Sequence, residues 1–291
     1  MHNITLLDGG MGRQIKQRLT QWDPILWSAS GLIYDPQLVC DIHGEFIEAG
    51  AQIIKTNNYM VIPYALEKCN RLSEFESLTA LSGAIAQQAK KQSGRSSVRV
   101  AGSLPPLGTT YRSDLIDSDR SVAVKTYATM MRCLAPDVDL FIAESLSSMV
   151  EAESIIVAHA GRDCPLYISF LLDENQPGQL LDGTPLQAMI ETLDAHGVST
   201  VLFNCSHPDT ISSAIQMIQS PRIALGAYAN TFVPMTDTFN HGDSRNQDES
   251  VTPALYLTHV KHWVNHGVTL VGGCCGIGPD HIRAIAADLN A

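Results

Sequence analysis

The sequence predicts an α/β chain that closes into a (β/α)8 TIM barrel, as one domain over residues 1–291. Three observations point to it. Eight short apolar or β-branched runs are spaced along the chain, a helical pattern separates most of them, and no linker or low-complexity stretch interrupts the series. Runs with few polar interruptions are those of a parallel sheet buried on both faces. A length of 291 residues is one that α/β barrels routinely use for a single domain. A doubly wound open sheet would use the same alternation, and strand number alone does not prove closure.

The strand runs fall at 4–7, 51–56, 98–101, 138–143, 166–171, 199–203, 223–227 and 269–272. Helix starts and stops are punctuated by Pro and Gly. Asp35-Pro36 opens a helix over 37–49 that Gly50 ends, and Thr184-Pro185-Leu186-Gln187 reads as a capping box before 188–196 and Gly197. Thr252-Pro253 opens 254–266, which stops at Gly267, and Pro279 opens a last helix running through Leu289. Two connections are long, 102–118 and 228–250, and the second carries Phe232 and Phe239 among Asn, Asp, Thr and Ser. Loops of that length serve either as binding loops and lids or as surface insertions.

Composition narrows the function. The charge sum is 19 − 30 = −11, which argues against a nucleic-acid binder, whose affinity comes from Lys and Arg on phosphates. No uninterrupted apolar run approaches the ~18 residues of a membrane helix. Asp8, Arg13, Lys16, Arg18 and Asp23 stand where a signal peptide needs an apolar stretch. A cytoplasmic protein acting on small molecules is expected. Its seven cysteines then read as free thiols rather than a disulfide framework.

In a barrel, chemistry sits where strands run out into the following helices. The ends read Asp8-Gly9-Gly10 after the first strand, Thr56-Asn57-Asn58-Tyr59 after the second, Glu144-Ser145 after the fourth, Asn204-Cys205 after the sixth and Gly273-Cys274-Cys275-Gly276 after the eighth. Closure would bring Cys205, Cys274 and Cys275 to one rim. Three protein ligands with an open fourth position is the layout of a catalytic zinc site, and thiolates suit so soft an ion. Cys40, Cys69, Cys133 and Cys164, on helices or before a strand, read as small packing residues.

These strand ends resemble the homocysteine S-methyltransferases. The residues that carry the likeness are Leu6-Leu7-Asp8-Gly9-Gly10, Trp27-Ser28-Ala29, Glu48-Ala49-Gly50-Ala51, Lys55-Thr56-Asn57-Asn58-Tyr59, Asn204-Cys205, Gly272-Gly273-Cys274-Cys275-Gly276 and Pro279-Asp280-His281-Ile282. The resemblance implies a zinc-containing barrel that methylates homocysteine to methionine, with Zn²⁺ held by Cys205, Cys274 and Cys275. It puts Asp8 and Glu144 near the amino-acid end of homocysteine, helped by backbone at Gly9 and Gly10. Thr56 and Asn57, by their place at a strand end, either line that pocket or cap the following segment, and Asn204 is a further pocket candidate.

Family donors include S-methylmethionine, S-adenosylmethionine and betaine, and cationic methyl groups favour aromatic faces. Trp27, Tyr59, Tyr111 and Phe170 are the candidates. Betaine-using relatives carry an aromatic directly after the strand-four glutamate, where this sequence has Ser145, which favours S-methylmethionine. Rival readings are a Schiff-base barrel using Lys55, a phosphate cradle at Gly272-Gly273, and a zinc or thiol sensor built on the same three cysteines.

Overall fold

In the computed structural model the described residues are 4–289, apart from 109, 117–118, 220–221, 233–247 and the side chain of 115. Eight strands form one parallel sheet: β1 (Thr5–Leu6), β2 (Ile53–Lys55), β3 (Arg99–Leu104), β4 (Leu140–Leu146), β5 (Leu166–Phe170), β6 (Thr200–Asn204), β7 (Ala224–Tyr228) and β8 (Val268–Val271). Their order is β1-β8-β7-β6-β5-β4-β3-β2. A parallel bridge between Leu7 and Ile53 joins the two ends of that series. The alternation is therefore a barrel, and the open sheet is excluded.

Helices cover the outside. Asp35 caps the helix Pro36–Glu48 by accepting a hydrogen bond from the Leu38 amide, and Thr252 caps Pro253–Asn265 through the Leu255 amide. The expected capping box at Thr184 does not form. Pro185 is extended and bridges to Gln179, so the helix begins only at Leu186.

The core lies in two layers. A large cluster fills the space between barrel and helices. A smaller one plugs the barrel interior with Leu7, Ile53, Ala101, Leu140, Ile142, Leu202, Tyr228 and Leu270. Side chains on a strand alternate between faces, so the residue two positions beyond a plug residue also points inward. Ile53, Ala101, Ile142 and Leu202 are followed in this way by Lys55, Ser103, Glu144 and Asn204. A buried polar layer thus sits on the apolar plug, at the C-terminal ends of the strands where barrel enzymes place their chemistry.

Candidate active site

Above that layer opens a cavity of about 680 Å³. Its walls include Asp8, Gly9, Gly10, Thr56, Asn57 and Glu144, the aromatics Trp27, Tyr59 and Tyr111, and the cysteines Cys205, Cys274 and Cys275. Sequence reasoning missed Trp22 as a lining residue of this cavity, and it had Lys55 only as a rival Schiff-base amine and Phe232 only as part of a long loop.

One wall is sulfur. The Sγ atoms of Cys205, Cys274 and Cys275 lie within 4.8 Å of one another, a group able to hold a metal ion. Cys205 and Cys274 are joined as a disulfide, with Cα atoms 5.6 Å apart, and Cys275 is free. The expectation of three free thiols is corrected here. The register that gathers three sulfurs at one rim also places two of them within bonding reach, so the pair must be reduced before the trio can ligate a metal.

Backbone geometry produces the convergence. Cys205 takes the left-handed conformation, φ 50°, which turns its carbonyl towards Asn230 Nδ2 (2.6 Å) and the Tyr111 hydroxyl (3.2 Å). At Gly10 a Cβ would lie 2.5 Å from the Cys274 carbonyl oxygen, so only glycine lets the β1 loop close against the cysteine loop. Its amide donates to the Ile277 carbonyl at 2.9 Å, which commits that N–H to the loop rather than to a substrate.

The opposite wall is charged. Glu144 accepts from Ser103 Oγ at 2.6 Å and from the Tyr228 hydroxyl at 3.3 Å. Burial pushes its pKa above the ordinary carboxylate value, against the pull of Lys55 and Ser103. An under-compensated buried carboxylate of this kind gains from receiving a cation. Asp8 is fully buried and accepts from Lys55 through both oxygens, from the backbone amide at 2.8 Å and from Nζ at 2.5 Å. Burial pulls the Lys55 pKa down, but Asp8 and Glu144 more than offset it and hold it above lysine's usual value. The buried ion pair leaves the Schiff-base reading without the neutral amine it requires.

Asn204 lies behind the cavity and joins its two walls. Its Oδ1 accepts from the Ser145 amide (3.0 Å) and Ser169 Oγ (2.7 Å), while Nδ2 donates to Ser145 Oγ (2.7 Å) and lies 4.0 Å from Cys274 Sγ. Thr56 is similarly occupied, donating to Asn58 and accepting from the Ser103 amide. Asn57 holds the Ser28 carbonyl at 2.9 Å and so positions the Trp27 segment.

Phe170 is absent from this lining. Its neighbour Ser169 points inward to Asn204, so alternation sends Phe170 out into the barrel–helix cluster. The aromatic wall that does form has Trp22 and Trp27 edge to face at 5.1 Å, with Lys16 Nζ 5.7 Å from each ring. Arg13 lies over Phe232 at 5.6 Å. Most of the 228–250 loop, including Phe239, lies outside the described residues.

The family model for homocysteine S-methyltransferase matches residues 5–289. The chain is 27% identical to Homocysteine S-methyltransferase of Escherichia coli over 98% of this chain and 95% of that one. It is 26% identical to Homocysteine S-methyltransferase 1 of Brassica oleracea var. italica, over 98% and 93%. A crystal structure of the homocysteine methyltransferase MmuM from Escherichia coli, in its metallated form, superposes with a TM-score of 0.83 at 24% identity, covering 98% of this chain and 96% of that one. With the barrel, the cysteine cluster and a match along nearly the whole length, the chain belongs to the homocysteine S-methyltransferase family of enzymes.

Proposed function

We propose that the protein moves a methyl group from an onium donor, S-methylmethionine ahead of S-adenosylmethionine or betaine, onto the sulfur of homocysteine, giving methionine. The observation that carries this reading is the convergence of three cysteine sulfurs on the wall of a cavity whose other wall is Asp8 and Glu144. Three thiolates with an open fourth position suit zinc and leave room for the acceptor sulfur. When bound, zinc would supply the Lewis acidity that keeps that sulfur deprotonated at neutral pH. A cytoplasmic location, where thiols are kept reduced, would maintain Cys205 and Cys274 in the form the site needs. The relatives' shared name and the metallated state of the Escherichia coli structure support the reading.

A free thiol of pKa ~8.5 is only about 3% thiolate at neutral pH. Lowering that pKa raises the thiolate population but costs nucleophilicity, so activation alone gives little. Positioning two reactants can supply ~7–11 kcal/mol, and this is the task of the cavity. The acceptor's thiol proton passes to solvent on binding. Its sulfur lone pair then forms the new S–CH₃ bond while the bond from methyl to the onium atom breaks, and that bonding pair stays on the donor, which leaves neutral. No proton moves at the methyl carbon, so the carboxylates act in binding rather than as acid or base. Trp27, Tyr59 and Tyr111 offer faces for the cationic donor.

The test is a donor panel with homocysteine on reduced protein, following methionine by mass spectrometry and zinc by elemental analysis. Methionine from S-methylmethionine and about one zinc per chain are expected. Zinc without turnover on any onium donor would leave a sensor built on the same cysteines.

A further inference from the structure

The charged wall contains a group that the methyl transfer described above does not use. Lys55 points inward because Ile53, two residues earlier, belongs to the barrel plug. Its side chain is only 10% exposed, yet it lines the cavity. We propose that Lys55 is the specificity residue that binds the carboxylate of the acceptor, with Asp8 serving as its partner and Glu144 left to take the acceptor's ammonium. The proposal rests on the acceptor reading above, since it names how the same cavity recognises an amino-acid thiol.

The hydrogen-bond inventory supports the division of labour. An ammonium has three N–H donors. Asp8 takes one, and the ammonium lies over the Tyr228 ring at 4.8 Å from its centroid. Among the described residues Nζ has no other hydrogen bond. Asp8 is in the opposite condition, fully buried with both oxygens engaged by Lys55. It is poorly placed to serve as the main contact for a second ammonium. Glu144 keeps more capacity, because its second oxygen receives only the 3.3 Å contact from Tyr228.

Charge points the same way. Two carboxylates alone would suit a dication, or a cation with no acid group. Adding Lys55, held by Asp8, sets a donor face beside the accepting face of Glu144. That is the complement of an α-amino acid, whose ammonium and carboxylate share one carbon. The other cations on the lining, Arg13 and Lys16, sit instead over the rings of Phe232 and of Trp22 and Trp27.

The experiment compares L-homocysteine with 3-mercaptopropan-1-amine, the same thiol without its carboxylate, on wild type, Lys55→Met and Lys55→Arg. Binding is read by calorimetry on the reduced, zinc-loaded protein and turnover is read separately. The wild type should favour homocysteine by about 10- to 100-fold, the range of a charge-assisted hydrogen bond in a buried site. Lys55→Met should erase that preference while leaving affinity for the amine within about threefold, and Lys55→Arg should restore part of it. Equal binding of the two thiols by wild type would overturn the proposal, whatever the variants do. So would equal weakening of both thiols in Lys55→Met, which would make Lys55 only a brace for Asp8. Failure of the methyl-transfer reading shows differently, as no methionine from any donor, while the ratio of the two affinities still decides the role of Lys55.

Discussion

The two walls of the cavity are built by different means. On the sulfur wall the backbone does the work: Cys205 is left-handed, and glycines flank Cys274 and Cys275 so that two loops can meet. The charged wall rises mainly from strand alternation, with Lys55, Ser103 and Glu144 each two residues beyond an apolar plug residue, although β4 shifts register between Ala143 and Leu146 and Ser145 is left-handed at φ 58°. Irregular backbone makes the sulfur wall dependent on particular residue types. Strand alternation places the side chains of the charged wall with fewer demands on residue type.

Breaking the sulfur wall should have the largest effect. Cys274→Ser removes one of three thiolates and is expected to lose both bound zinc and methionine formation, read by elemental analysis and mass spectrometry. Active, metal-free protein would contradict the mechanism and the comparison together.

A smaller and separable loss is expected on the other side. Glu144→Gln should weaken homocysteine binding by about 10- to 100-fold with zinc content unchanged, as measured by calorimetry. If zinc were lost as well, the walls would not be independent, and Asn204, which bonds to the Ser145 backbone beside Glu144 and reaches Cys274, would be the connection.

The smallest effect concerns stability behind the charged wall. His43 is fully buried with neither ring nitrogen hydrogen-bonded, and burial, with Lys55 nearby, lowers its pKa to about 3. Its unfolded value is ~6.5. Below that pH the unfolded chain takes up a proton that the folded chain refuses, so stability falls as pH drops from 6.5 towards 3. By pH 5 this amounts to about 2 kcal/mol. Denaturant unfolding at pH 7.5 and pH 5 should show it, and His43→Leu should flatten that part of the profile.

The barrel and the sulfur wall were readable in the chain because each rests on local signals. Strand runs, Pro and Gly punctuation, and Cys274-Cys275 between glycines are each legible within a few residues, and strand-end counting then places Cys205 at the same rim although it is 69 residues from Cys274. The pairing of Lys55 with Asp8 was not readable in the same way. Asp8 and Lys55 are 47 residues apart in sequence, and only the β1–β2 register brings them together. Phe170 failed as a donor face for a related reason, since the inward face of β5 belongs to Ser169. Counting by twos from the plug residues assigns the inward face to Lys55 and to Ser169. The Cys205–Cys274 bond could not be anticipated from composition, which speaks for a compartment and not for the spacing of two sulfurs.

The closure of the barrel carries a further consequence. β1 has two residues, and it meets β2 through the Leu7–Ile53 bridge and the backbone bonds from Asp8 to Ile53 and from Gln52 to Leu6. The Asp8–Lys55 ion pair lies directly across that join. This seam is the thinnest in the cylinder, and its clasp is made of the charges that face the cavity. Local opening begins where few backbone bonds must break, so the staves that would part first are those whose ends carry Asp8 and Lys55 on the cavity lining. One buried pair in this way both lines the cavity and fastens the cylinder.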